Sequence, residues 1–156
     1  MEIILALDLG TKTGWAMIDK HTSITSGTEC FKVNKFQSTG MVFLKFKRWL
    51  TELKNRYKHI DYVYFEAVRR HLGTDAAHMY GGFMAHLTAW CEHHDIPYQG
   101  VAVGTIKKHI AGKGNASKQE VINAVKLKGF KPIDDNEADA LALLDFALTT
   151  YHREEL

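Results

Sequence analysis

The chain has 156 residues, 46% of them hydrophobic and 24% charged, the balance of one globular domain spanning 1–156 around one core. Two Pro and twelve Gly leave no room for a long linker or a collagen-like tract, and apolar runs such as 140–144 fall far short of the roughly 20 residues that cross a bilayer. A net charge of +2 names no partner, and two cysteines are too few for a disulfide framework or a four-ligand zinc site, so a reduced, cytoplasmic protein with no membrane partner is expected.

Residues 3–8 form an apolar run that ends in an acid and lacks the basic start of a signal peptide, which predicts a buried strand. Residues 10–14 read as a turn, 15–18 as a second strand, and 22–33, rich in Thr, Ser and Gly, as a third. Ser38 is the expected cap of a helix whose apolar face is Val42, Phe46, Trp49, Leu50, Leu53 and Tyr57. A fourth strand is expected over 62–66, again closing on a carboxylate, and a helix over 74–94 with Gly81 and Gly82 as a weak point or a close packing site. Residues 97–101 suit a fifth strand and 105–111 a short helix stopped by Gly112. Ser117 and Glu120 make a capping box for a helix ending near Gly129, and Asp134 and Glu137 offer a second box before a final helix through Leu141, Leu144 and Leu148. This order predicts an α/β fold, a mixed sheet with helical cover.

Three acids stand in costly places. Asp8 and Glu66 each end an apolar strand, where a carboxylate must be solvated, paired or bound to a cation. If the two strands are neighbours, the carboxylates lie close enough to repel, and a divalent cation accounts for them best. Asp139 lies one turn into a Leu/Ala-rich helix, with Asp135 and Asn136 on the same side at helical spacing. The set offers three or four oxygen ligands and no thiolate, which favours Mg²⁺ or Mn²⁺ over zinc. The helix dipole alone explains Asp134, Asp135 and Glu137, explains Asp139 less well and leaves Glu66 unexplained.

Charge is unevenly spread. Residues 101–131 hold seven Lys against Glu120 alone, 45–59 hold six Lys/Arg against Glu52, and the acids concentrate after 132. Basic blocks beside an acidic cluster suit a nuclease, where cations hold phosphates and carboxylates hold metal, although solvated helix faces have the same composition.

Ile4-Leu5-Ala6-Leu7-Asp8-Leu9-Gly10-Thr11, Phe65-Glu66-Ala67-Val68 and Glu137-Ala138-Asp139-Ala140-Leu141-Ala142 together resemble the RuvC-type Holliday junction resolvases, and the compact form resembles their bacteriophage branch. The resemblance covers nearly the whole chain. It implies a ribonuclease-H-like mixed five-stranded sheet flanked by helices, and two divalent metal ions, Mg²⁺ with Mn²⁺ able to substitute, held by Asp8, Glu66 and Asp139. It implies a homodimer acting on four-way junctions or related branched DNA in recombination and repair, leaving 5′-phosphate and 3′-hydroxyl ends. Lys107 and Lys118 fall where the family keeps lysines that assist cleavage, and Lys108 and Lys113 extend that segment as candidate DNA contacts.

Two departures from the bacterial members matter. The fourth acid is replaced by Asn136, so either Asp135 or Asn136 completes the metal site. The aromatic that follows the strand-four acid in those members is absent; Arg69, Arg70 and His71 stand there instead, a cluster suited to phosphates. The Asp8–Lys12 turn is also similar to that of the actin-like ATPases, which need two such domains, and to that of the YqgF-group ribonucleases, which place the second acid differently. Asn136 leaves open a non-catalytic protein that binds branched DNA. Trp49, Met79, Phe83 and Trp90 are offered either to a dimer interface or to the core, and none of the nine His is expected as a ligand.

Overall fold

The computed structural model describes residues 2–71 and 73–152; Arg153, Glu154 and Glu155, which enter the charge count above, lie outside the described residues. Strands β1 (Ile4–Asp8), β2 (Lys12–Ile18), β3 (Ile24–Cys30), β4 (Tyr62–Ala67) and β5 (Tyr98–Ala102) form one sheet in the order β3-β2-β1-β4-β5. β2 pairs antiparallel with β1 and β3, while β4 pairs parallel with β1 and β5. The helices are α1 (Thr39–Tyr57), α2 (Thr74–His93), α3 (Val103–Ala111), α4 (Lys118–Leu127) and α5 (Asp135–Tyr151).

Side-chain alternation sorts the sheet into two cores. Ile3, Leu5, Leu7, Val63 and Phe65 point toward α1 and α2, where they meet Phe46, Leu50, Phe83 and Leu87. Ile4, Ala6, Ala16, Ile18 and Tyr64 point the other way, under α5 with α3 and α4 beside it. β1 is buried from Ile4 to Leu7 because helices cover both of its faces, as a parallel pair requires. The small Ala6 and Ala16 admit α5 close to the sheet, and α5 is itself buried nearly all round, which explains its lack of a polar stripe.

Several element ends differ from the sequence reading. β2 starts at Lys12, not after Gly14, because Asp8 pairs with Gly14 across a tight turn that Thr13 closes by donating to the Gly10 carbonyl at 2.6 Å. β3 is shorter than 22–33, since Thr22 (φ 65°) belongs to a turn held by Asp19. α3 begins at Val103, directly out of β5. Ser38 occupies the N-cap of α1 without a side-chain capping bond, whereas Ser117 and Glu120 close the full box on α4. At α5 the Asp134 side chain accepts from Glu137 N, but Glu137 Oε1 accepts from Ile133 N, one residue earlier than a capping box requires. Trp49, Phe83 and Trp90 are buried in the α1/α2 core and Met79 packs on its edge, so the core reading holds for these four. Gly82 is a packing site: a Cβ there would lie 2.3 Å from the Phe43 ring of α1. Among the described residues no helix is long and apolar enough to cross a membrane.

Candidate active site

The register of β1 and β4 pairs Leu7 with Phe65, which sets Asp8 and Glu66 side by side at the same end of two parallel strands. Both share the face of Ala6 and Tyr64, the α5 side of the sheet. Asp139, in the second turn of α5, arrives from above. One carboxylate oxygen from each of Asp8, Glu66 and Asp139 lies within 4.8 Å of the others, the one such His/Cys/Asp/Glu grouping among the described residues.

What brings Asp139 there is a close approach of backbone to backbone. A Cβ on Gly14, the partner of Asp8 on β2, would sit 1.8 Å from the Asn136 carbonyl oxygen, so only glycine admits the first turn of α5. The same turn is fastened sideways to β3. Thr28 Oγ1 donates to Asp134 Oδ1 at 2.7 Å, and Ser26 Oγ donates to the buried Glu137 Oε2 at 2.7 Å. Asp134 and Glu137 thus do more than answer the helix dipole.

The electrostatics are those of a site built for a cation. Burial, followed by the charges of Glu66 and Asp139, pushes the Asp8 carboxyl well above its ordinary value, and Asp8 and Glu66 share a hydrogen bond. Burial raises Asp139 to about 7, assisted by Glu66 and Asp135 and opposed by Lys107 and Lys118. Glu66 is raised by burial against the hydrogen bond from Asp8 and the charge of Lys107. Three carboxylates whose charged forms are disfavoured by burial and by one another form a hard, all-oxygen donor set that fits Mg²⁺ or Mn²⁺.

Asp135 bears on this cluster, raising both Asp8 and Asp139, and its Oδ2 lies 3.3 Å from Lys118 Nζ. Lys107 and Lys118 line an open groove of about 660 Å³ together with Glu66, Gly104 and the exposed Arg69 and Arg70. Lys108 is exposed one position further along α3. Lys113, in the loop before α4, is ion-paired with Glu120 at 2.7 Å. The groove therefore gathers four of the six residues read as DNA contacts and leaves Lys108 and Lys113 outside its lining.

Tyr80 escaped the sequence reading. From α2 its hydroxyl donates to the Glu66 carbonyl at 2.7 Å and accepts from Val68 N at 3.2 Å, fixing the strand end that carries Glu66 and launches Arg69 and Arg70. No local pattern marks it, because its partners are backbone groups 14 and 12 residues away. His109 and His152 bond to Asp145 and Tyr64, away from the acids.

A five-stranded mixed sheet with carboxylates on its central strand, on the parallel strand beside it and on its last helix is the ribonuclease-H-like fold. No family model matches the chain, and no curated protein matches it in sequence. Solved structures do. RuvC of T. thermophilus in complex with a Holliday junction substrate superposes with a TM-score of 0.79 at 20% identity, covering 99% of this chain and 97% of that one. A second Thermus thermophilus RuvC structure gives 0.73 at 20% identity over 98% and 96%. The yeast mitochondrial Holliday junction resolvase Ydc2 gives 0.56 at 12% identity over 98% and 82%. The chain thus has the fold of the RuvC resolvases over nearly its whole length.

Proposed function

We propose that this chain is a divalent-metal-dependent, structure-selective endonuclease that nicks four-way junctions and related branched DNA symmetrically, acting as a homodimer in the cytoplasm of a bacterial or phage-infected cell. The observation that carries the proposal is the convergence of Asp8, Glu66 and Asp139 within 4.8 Å, with Glu66 also lining a groove that holds Arg69, Arg70, Lys107 and Lys118. Phosphodiester hydrolysis needs charge stabilised on the phosphate and a nucleophile available at neutral pH. Asp8, Glu66 and Asp139 would hold two Mg²⁺ ions, or Mn²⁺ in their place, which would polarise the phosphate and acidify water.

The chain's own residues do the rest. Asp8, on the central strand, would hold the ions together with Glu66 and Asp139, with Asp135 as a further carboxylate beside them. Asp135 fits the fourth position better than Asn136, because it is a carboxylate whose charge acts on both Asp8 and Asp139. Lys118, next to the N-cap of α4, offsets charge gathering on the phosphate, and its present partner Asp135 holds it ready. Lys107 holds the adjacent backbone, and Arg69 and Arg70 grip phosphates beyond it, with Lys108 and Lys113 outermost. The leaving oxygen is the 3′ one, so the products carry 5′-phosphate and 3′-hydroxyl ends.

A supercoiled plasmid that extrudes a cruciform tests this reading. Paired nicks in one encounter linearise the plasmid, and DNA ligase reseals nicks made in a four-arm oligonucleotide junction. Nicked circles alone, or ends that resist ligation, contradict the symmetric dimer or the end chemistry respectively.

A further inference from the structure

The segment between β3 and α1 presents an aromatic ring to solvent at the end of the sheet that holds the acids. Phe36 is 85% exposed. Phe31, where this segment begins, donates its N–H to the Thr11 carbonyl at 2.7 Å, which anchors the segment beside the turn that follows Asp8. The segment is an ordered turn: Asn34 Oδ1 accepts from Phe36 N at 2.9 Å, Asn34 O accepts from Gln37 N at 3.1 Å, and Gln37 Oε1 accepts from Asn34 N at 3.3 Å. This bonding holds the backbone while the ring stays outside the core. Lys35 Nζ lies 5.1 Å from the centre of that ring, and Lys32 precedes it; no acid occurs between Glu29 and Glu52. The other large exposed aromatic among the described residues, Tyr151, is occupied, stacked on Tyr64 and bonded to Gln99.

An exposed aromatic ring held out by a fixed turn, with Lys35 over one face, Lys32 near in sequence and no carboxylate near in sequence, has the make-up of a stacking platform for a nucleobase: the face away from Lys35 takes the base and the ammonium groups take the flanking phosphates. A base in intact duplex offers no free face, so such a platform selects DNA whose bases are unpaired. We propose that Phe36 stacks on an unpaired nucleobase at the branch point, on the β3 side of the acids, opposite the Arg69/Arg70 side. This inference rests on the branched-DNA reading above and adds to it the residue that senses the branch.

The test uses the full chain with Ca²⁺ in place of Mg²⁺, so that binding is read without cutting. Affinity is measured for a four-way junction and for linear duplex of the same arms, with 2-aminopurine at the junction's central positions as a stacking reporter. One base–aromatic stack corresponds to roughly 5- to 150-fold in affinity. Phe36→Ala is therefore expected to lose at least about fivefold in junction affinity while keeping wild-type duplex affinity. It should also abolish the change in 2-aminopurine emission, and Phe36→Trp should retain both. Wild-type junction affinity and emission in Phe36→Ala overturn the inference, as does equal loss on junction and duplex. A change in sedimentation of Phe36→Ala with the emission change intact also overturns it, since the ring then serves a protein contact. If the wild-type chain itself binds the junction no more tightly than duplex, the branched-DNA reading fails as well; a wild-type preference that survives Phe36→Ala removes only Phe36.

Discussion

Asp139 shows what the cluster costs and what a cation relieves. Its carboxyl titrates near 7 in the folded chain against an ordinary value of 3.8, because it is buried beside Glu66 and Asp135. Between those two values the folded state holds a proton that the unfolded state has released, so the stability of the metal-free protein falls as pH rises through this window. Asp139→Asn removes the penalty. Its melting temperature without metal should exceed that of the wild type by a few degrees at pH 8, and the two should converge near pH 4. Adding Mg²⁺ should reverse the order at pH 8 by stabilising only the wild type, a comparison that calorimetry with and without EDTA settles. Tyr80→Phe is the second test at this scale. It leaves Val68 N without its acceptor, which costs about 1–3 kcal/mol, and it frees the strand end at Glu66. Cleavage at saturating DNA should fall, and the Mg²⁺ concentration for half-maximal rate should rise. A lowered melting temperature with an unchanged Mg²⁺ requirement would mean that Tyr80 serves stability alone.

At the scale of elements, the approach of α5 to β2 decides whether the site exists. The Leu/Ala-rich pattern of the final helix and the acid ending each of two strands were legible in the sequence, because strand alternation and helical spacing are written locally. The closeness of the helix to the sheet was not. Gly14 reads as a turn residue, and only the pairing of Asp8 with Gly14 reveals that the Asn136 carbonyl lies where its Cβ would be. Ser26 and Thr28 likewise look like ordinary strand residues until Glu137 and Asp134 reach them across more than 100 positions. Gly14→Ala should destabilise the chain by about 2 kcal/mol, in the range of overpacked cores, and should weaken Mg²⁺ binding by pushing Asp139 away from Asp8. Isothermal titration with Mn²⁺ checks this, with Gly81→Ala, whose Cβ would meet nothing within 4 Å, as the silent control.

Across the whole molecule, the sheet has a working end and a structural end. β1 and β4 run parallel and deliver both strand acids to one end, and α5 starts there. At the other end of α5, His152 and Tyr151 pack on Tyr64. Only part of this division was readable: each acid could be placed at a strand end, but that the two strands are neighbours and parallel appears only in the pairing. The basic groove was readable only in part: charge counts mark 101–131, but they do not distinguish Lys107 and Lys118, which face the acids, from Lys113, which pairs with Glu120. Arg70→Gln should therefore weaken junction and duplex alike and flatten the salt dependence of binding by about 0.9 in log–log slope for each phosphate no longer neutralised, whereas Lys113→Gln should change the slope less. Anisotropy titrations over a range of salt concentrations measure both.

Whether the acids at this sheet end hold divalent metal that cuts branched DNA is decided by cleavage of an end-labelled four-way junction beside linear duplex of the same arms, with Mg²⁺ and then with EDTA, for the wild type and Asp8→Asn. Paired nicks near the crossover are expected with Mg²⁺ only, with duplex left intact. Asp8→Asn should bind the junction yet cut at least roughly 10⁴-fold more slowly or not at all, as expected when a member of a catalytic unit is removed. Cleavage that persists in EDTA or in Asp8→Asn, or a wild-type protein that holds the junction without cutting it in Mg²⁺ or Mn²⁺, would contradict the account.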